Sequence, residues 1–308
     1  MPLLAIVGPT AAGKSELALA LAQRWPLEIL SADSRQVYRG MDIGTAKPST
    51  AERLAVPHHL LDLVAPDERF TVADWVAGAR SLIPQIAARG RLPVIVGGTG
   101  LYVSALLDGY DFGRQPGSAE GRRRLTDELA ERGLAALAAR LAILAPELAA
   151  GTDLRNPRRV VRALERAESG STARPGRQPW RGRLCVLGIE RPRDALDARI
   201  AARSRHMFGA GLLSETRALL DAGYGPELPA MSGHGYAEAI HHLAGEWTLE
   251  HAVAVTVARG RRYARRQLTW FGRDARVRWV PAGSGDASHA TVVTRAAELL
   301  RPVVETDP

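Results

Sequence analysis

Gly8-Pro9-Thr10-Ala11-Ala12-Gly13-Lys14-Ser15 follows directly on the apolar run Leu3-Leu4-Ala5-Ile6-Val7 and leads into a helical pattern from Lys14 to Trp25, with Leu17, Leu21 and Trp25 on one face. The octapeptide fits G-x4-G-K-[ST], and a strand before it and a helix after it are the setting in which that spacing has a physical purpose. Glycines let backbone N–H groups turn inward around phosphate oxygens, and the helix points its positive end at the same anion. Lys14 adds a point charge, and the Ser15 hydroxyl is a candidate ligand for Mg2+. All eight residues, Gly8, Pro9, Thr10, Ala11, Ala12, Gly13, Lys14 and Ser15, are therefore expected to cradle a phosphate or diphosphate group.

Outward from this loop, Leu27 to Leu30 reads as a second strand with Ser31-Ala32-Asp33 at its carboxyl end. Thr71 to Arg89 reads as a helix, and Pro93 to Val96 as a third strand closed by Gly97-Gly98. Strands alternating with helices predict the α/β class, with a P-loop NTPase-like parallel sheet flanked by helices. Two stretches rich in Gly and Pro, Phe112 to Gly121 and Ser169 to Gly182, bracket segments that are helical throughout: Arg122 to Arg132, Leu134 to Leu144, and Pro157 to Glu168. Leu184 to Ile189 then returns to strand character. The expected organisation is a catalytic core of residues 1–112 and 183–308, interrupted by an inserted all-helical domain, 113–182. Leu196 to Phe208, Leu212 to Ala222, Ala237 to Leu243 and Leu249 to Trp270 make the C-terminal third mostly helical by the same reading.

Composition narrows the function classes. No apolar run is long enough to span a bilayer, and Leu3 to Val7 is too short for a signal segment, so no membrane partner is expected. The single cysteine, Cys185, lies in an apolar run and cannot form an internal disulfide, which makes the cytoplasm the expected compartment. No Cys/His cluster has zinc spacing. The net charge of +8 is concentrated: Arg155 to Arg183 holds nine arginines against two glutamates, and Arg259 to Arg278 holds eight against one aspartate. Such patches suit a phosphate-rich partner, although a solvated arginine face would look the same. An NTP-hydrolysing enzyme usually carries a Mg2+-holding aspartate at the end of an apolar strand. Here Pro93 to Val96 runs into Gly97-Gly98-Thr99, so the strand-end carboxylate left is Asp33, either a general base or a turn or helix-cap aspartate.

The run Asp33-Ser34-Arg35-Gln36-Val37-Tyr38-Arg39-Gly40-Met41-Asp42-Ile43-Gly44-Thr45-Ala46-Lys47-Pro48 closely resembles the tRNA dimethylallyltransferase family. Further matches follow in the family's order: the phosphate loop, Pro57-His58-His59-Leu60-Leu61-Asp62, Gly97-Gly98-Thr99-Gly100-Leu101-Tyr102, Asn156-Pro157-Arg158-Arg159, Gly235-Tyr236, and Tyr263-Ala264-Arg265-Arg266-Gln267-Leu268-Thr269-Trp270. Together they span nearly the whole chain. Met231-Ser232-Gly233-His234 departs from the family, which often has a basic or alanine-rich run there.

The resemblance implies transfer of the five-carbon group of dimethylallyl diphosphate to N6 of the adenine 3′-adjacent to the anticodon of tRNA, with release of diphosphate. It implies Asp33 as general base, with Thr10, Lys14, Ser15 and Arg203 as the other catalytic residues around the diphosphate and Mg2+ at Ser15. It places contacts to the tRNA anticodon stem-loop at Asp33, Ser34, Arg35, Gln36, Thr99, Arg122, Arg158, Arg159, Val160, Val161 and Arg162. A monomer is expected. The chemistry is coherent: the adenine amine is a poor nucleophile that needs a base, and the leaving diphosphate needs positive charge. Three other readings stay open on the residues alone. A P-loop kinase of a nucleoside or small metabolite predicts NTP consumption. A prenyltransferase of free adenine nucleotides would need no large basic surface. A non-catalytic RNA-binding protein would have no use for Lys14, Ser15 and Asp33 together.

Overall fold

The computed structural model describes residues 1–110, 119–170, 177–283 and 287–305. The chain divides into two compact units, Met1–Asp108 with Pro179–Pro308, and Gly109–Gln178. The larger unit opens with β1 (Pro2–Val7), α1 (Lys14–Ala22), β2 (Leu27–Ser31), α2 (Thr50–Ala55), β3 (His58–His59), α3 (Val72–Ala88), β4 (Leu92–Gly97) and α4 (Gly100–Leu107). The smaller unit supplies α5 (Ala119–Leu144), α6 (Pro146–Ala150) and α7 (Pro157–Glu168). The larger unit resumes with β5 (Arg183–Glu190), α8 (Arg193–Gly209), α9 (Leu212–Asp221), α10 (Tyr236–Leu243), α11 (Leu249–Phe271), β6 (Val277–Pro281) and α12 (Ala287–Val304).

The described strands form one sheet in the order β3-β2-β4-β1-β5-β6. Every pairing is parallel, with Leu4 opposite Val94 on one side and Cys185 on the other. Leu3 to Val7 are 0% exposed, as a continuous apolar strand must be when helices cover both sheet faces. Leu17 and Leu21 of α1 pack with Val292, Ala296 and Leu300 of α12 over Ile6 and Leu187. The parallel α/β sheet expected from the sequence is present. Strand β6 and helix α12 lie outside that expectation. Val277-Arg278-Trp279-Val280-Pro281 is a half-exposed edge strand in which only Val277 and Val280 are buried.

Chain order reverses at β1, which has β4 on one side and β5 on the other. The loops that follow β1, β2 and β4 therefore meet in one crevice beyond the carboxyl ends of the strands. Two devices hold the β2 exit. A capping box between Thr71 and Asp74 starts α3 and aims Trp75 inward. The Trp75 Nε1–H then donates to the Ser31 carbonyl at 2.7 Å, and its ring stacks on Tyr102 with centroids 4.9 Å apart. Further along, the Lys47 ammonium, 1% exposed, donates to the Asp42 carboxylate at 2.7 Å, the Asp62 carboxylate at 2.5 Å and the Tyr38 carbonyl at 2.6 Å. Arg53 donates to the other Asp62 oxygen at 2.8 Å. A buried ammonium without acceptors would be costly, and three acceptors make the segment around it a fixed wall.

The smaller unit is helical throughout its described residues. Gly133, at φ 76° and ψ 167°, breaks α5 into two helical arms. Asn156 caps α7 through the Arg159 N–H, with Pro157 in its first turn. Leu125, Leu137, Leu141, Leu148, Val160 and Leu164 form the core of this unit. The Gln178 N–H donates to the Gly109 carbonyl at 2.9 Å, and Tyr110 bridges antiparallel to Arg177. The hinge stretches expected at 112–121 and 169–182 fall in large part on residues 112–118 and 171–176, which lie outside the described residues.

Candidate functional site

The loop after β1 is built to keep its backbone concave. Gly8 and Gly13 adopt φ of +133° and +103°, and Ala11 sits at φ +62°, a conformation that costs energy for a residue with a Cβ. Four side chains brace it. The Lys14 Nζ donates to the Pro9 carbonyl at 2.7 Å. The Arg199 Nε donates to the Ala11 carbonyl and the Arg191 Nε to the Ala12 carbonyl, both at 2.8 Å. The Gln267 Oε1 accepts the Thr10 N–H at 2.8 Å. Gly13 caps α1 without a side-chain acceptor, so no capping side chain competes for the first-turn amides.

Two cavities share this loop. One, of about 540 Å3, is lined by Thr10, Ala11, Asp33, Ser34, Arg203 and Tyr263, among others, and has an apolar wall of Met41, Ile200, Met207 and Tyr236. The other, of about 440 Å3, is lined by Gly13, Lys14, Ser15, Arg199, Arg203 and His206. Ala11 and Arg203 belong to both. Arg203 donates no hydrogen bond to a protein acceptor among the described residues; its guanidinium is held below its usual pKa by burial, against the opposing pull of Asp33. Burial, with Arg203 adding repulsion, pulls the Lys14 ammonium down to about 8, and Asp33 works in the opposite sense.

That value has a measurable consequence. Lys14 is charged below about pH 8 and neutral above it, so the affinity of the loop for inorganic pyrophosphate should hold up to about 8 and then fall. The limiting loss is about tenfold per pH unit for one proton. Lys14→Arg, which stays charged, should remove the decline and serves as reference for the ligand's own ionisation. Calorimetric titration from neutral to alkaline pH checks this, and a wild-type profile that tracks the arginine variant would show that Lys14 carries none of the binding.

The loop after β2 presents Asp33 to the first cavity. Asp33 Oδ1 accepts the Arg35 N–H at 2.9 Å, so the turn-aspartate role and the cavity position coexist. Thr99, at the start of α4, accepts the Ser34 N–H at 3.0 Å and is hydrogen-bonded to the Tyr263 phenol. Burial, followed by the Asp33 charge, pushes the Tyr263 phenol up to about 12. Glu215 accepts the amides of Asp42, Ile43 and Gly44, and also the Tyr236 hydroxyl at 2.5 Å. A Cβ on Gly44 would lie 2.3 Å from the Tyr236 ring, so only glycine permits this approach. His234 lines the same cavity, where burial and the neighbouring Arg259 lower its pKa to about 4 and leave a neutral imidazole at neutral pH.

Several residues assigned from the resemblance sit differently from a nucleic-acid contact. The Val160 and Val161 side chains are 0% and 8% exposed in the core of the smaller unit, because α7 buries that face. They offer no side-chain surface to RNA. The Arg122 Nε donates at 2.6 Å to the buried Glu165 carboxylate, so this guanidinium anchors α5 to α7. Arg35 donates to the carbonyls of Pro229 and Ala230 and to Ser232 Oγ, and both ends of the Gln36 amide are engaged, with Ser31 and with the carbonyls of Thr45 and Ala46. Arg158 and Arg159 are exposed, and Arg162 is partly so. Sequence reasoning singled out the run from Tyr263 to Trp270 but gave no role to Tyr263 and Gln267. Their spacing of four, which stacks them on one helix face, was the signal.

The family model described as IPP transferase matches residues 36–274, and the one described as isopentenyl transferase matches residues 1–62. A tRNA dimethylallyltransferase of Thermobifida fusca is 48% identical over 306 residues, covering 96% of this chain and 93% of the relative. One of Anaeromyxobacter dehalogenans is 50% identical over 287 residues, covering 91% and 95%. The structure of the full-length tRNA isopentenylpyrophosphate transferase of Bacillus halodurans superposes with a TM-score of 0.72 at 39% identity, over 98% of this chain and 97% of that one. A eukaryotic dimethylallyltransferase described as acting on tRNA shares the fold, with a TM-score of 0.80 at 24% identity, over 96% and 77%.

Proposed function

The chain belongs to the IPP transferase family, and on that premise we propose how its two cavities divide one reaction. The protein is an enzyme that transfers a dimethylallyl group to an adenine of tRNA. In our reading the donor is dimethylallyl diphosphate and the acceptor is N6 of the adenine 3′-adjacent to the anticodon. The observation that carries this reading is Arg203, which lines both cavities and feels the charges of both Lys14 and Asp33.

The diphosphate rests on Gly8 to Ser15 with Lys14 and Arg203 about it, and the five-carbon group extends along the wall of Met41, Ile200 and Met207. The adenine, unstacked from its loop, enters beside Asp33 and Tyr263. As the N6–C bond forms and the allylic C–O bond breaks, the Asp33 carboxylate takes a proton from N6 and the electron pair leaves with the diphosphate. Positive charge already fixed in the site meets that developing negative charge without reorganisation. Among the described residues no group of three His, Cys, Asp or Glu side chains surrounds a metal position, so Mg2+ would be held by Ser15 and by the donor's own phosphate oxygens, the arrangement Mg2+ favours. When bound it would neutralise part of the diphosphate charge.

We place the enzyme in the cytoplasm as a monomer. No helix among the described residues is long and apolar enough to cross a membrane, and the lone Cys185 is buried. On the smaller unit, Arg158 and Arg162 would neutralise anticodon-stem phosphates. Replacing both with alanine should weaken tRNA binding and flatten its salt dependence by about one unit of slope for each arginine. Filter binding across a salt series reads this out, and an unaltered slope would leave them as solvated charges.

The reaction is tested with radiolabelled dimethylallyl diphosphate, Mg2+ and unmodified tRNA, in parallel with AMP and with ATP plus nucleosides. Label at N6 in tRNA but not in AMP is the expected result. Label in AMP would move the acceptor to free nucleotides, and NTP consumption without transfer would assign the loop to a nucleotide.

A further inference from the structure

Gln267 lies near the C-terminal end of α11, 5% exposed, and has both ends of its amide committed. Its Oε1 accepts the Thr10 N–H at 2.8 Å, and its Nε2 donates to the Gly98 carbonyl at 2.9 Å. The two partners belong to different loops, one after β1 and one after β4. One turn earlier on the same face, Tyr263 hydrogen-bonds Thr99, and Thr99 accepts the Ser34 N–H beside Asp33. One face of α11 thus bonds directly to the loops after β1 and β4, and through Thr99 to the loop after β2. The fit around the amide is close: a Cβ on Gly98 would lie 2.0 Å from Gln267 Nε2.

We propose that Gln267 is a positioning residue for prenyl transfer, setting the placement of Thr10 on the donor side relative to Asp33 on the acceptor side. The inference rests on the reading given above, in which Thr10 meets the diphosphate and Asp33 takes the N6 proton. The amide serves both partners at once, since one needs an acceptor and the other a donor. Glutamate has the same shape but sets an oxygen against the Gly98 carbonyl. Methionine keeps the packing and loses both bonds. A fixed distance between donor loop and base loop bears on the reacting geometry, where displacement of about 1 Å costs up to about a hundredfold in rate.

The experiment uses the full-length enzyme with dimethylallyl diphosphate and tRNA. Gln267→Met and Gln267→Glu are compared with wild type for kcat, both KM values, tRNA affinity and thermal midpoint. Thr10→Ala and the double variant Thr10→Ala/Gln267→Met complete a cycle. We expect kcat to fall about ten- to a hundredfold in both Gln267 variants with tRNA affinity unmoved, and the double variant to be no slower than Thr10→Ala alone. Wild-type kcat in the folded Gln267 variants overturns the proposal. So do losses that multiply in the double variant, which a purely structural role would give. Should Thr10→Ala itself turn over at the wild-type rate, the role assigned to Thr10 falls, and the positioning proposal falls with it. Wild-type transfer and Thr10→Ala thus report on the underlying reading, and the Gln267 variants report on the proposal.

Discussion

Asp33→Asn is expected to lower the rate of prenyl transfer by about a hundred- to ten-thousandfold, the span covered by general bases, and to leave tRNA affinity unchanged. Asparagine is the informative replacement because Asp33 has two roles. Its Oδ1 accepts the Arg35 N–H and shapes the turn after β2, and an amide oxygen can do the same. What asparagine cannot do is take a proton from the adenine amine. Asp33→Ala removes both functions and should be no faster. Single-turnover transfer with enzyme in excess over labelled donor measures the chemical step, and equilibrium binding of tRNA measures the rest. Near-normal transfer by the asparagine variant would remove Asp33 as base and return it to the turn alone.

Arg203→Ala is expected to cost about a hundred- to a thousandfold in kcat, the usual price of removing a preset donor from a developing negative charge. The argument rests on what surrounds the guanidinium. It faces both cavities and donates to no protein acceptor among the described residues, so its donors are not committed to the protein. The nearby Arg199 differs: its Nε is bonded to the Ala11 carbonyl, and its guanidinium pairs with Glu16 at 2.6 Å. Arg203→Lys should recover part of the rate, since a point charge remains but the planar fork is lost. The rate of diphosphate release under saturating donor reads the effect, and an unchanged rate in the alanine variant would end the role given to Arg203.

Much of the fold was legible because its signals are local. A glycine loop between Val7 and Lys14, and apolar strands that end at Ser31 and Gly97, suffice to place a phosphate site at the edge of a parallel sheet. Strand β6 was not, because an edge strand mixes Arg278 and Trp279 into its short apolar pattern and reads like a basic surface stretch. The site divides in the same way. Residues that carry chemistry, such as Lys14 and Asp33, announce themselves by type and spacing. Those that hold them, such as Gln267 on Thr10 or Glu215 on the amides of residues 42–44, act across more than 170 positions, and only tertiary structure brings them together. Position within a run does not say which way a side chain faces: Val160 and Val161 stand among arginines in sequence but turn inward on the helix.

The buried ammonium of Lys47 has a bearing on how this sequence can drift. It joins Asp42 and Asp62, which are encoded far apart but share one cation. Loss of the lysine would leave Asp42 without its cation and Asp62 with Arg53 alone, and loss of Asp62 would leave the buried Lys47 with Asp42 as its one carboxylate. Lys47 is the one buried charge of the set, so a change at 47 is expected to be tolerated only together with changes at 42 or 62, and a variant library should recover viable replacements of the lysine as compensated pairs.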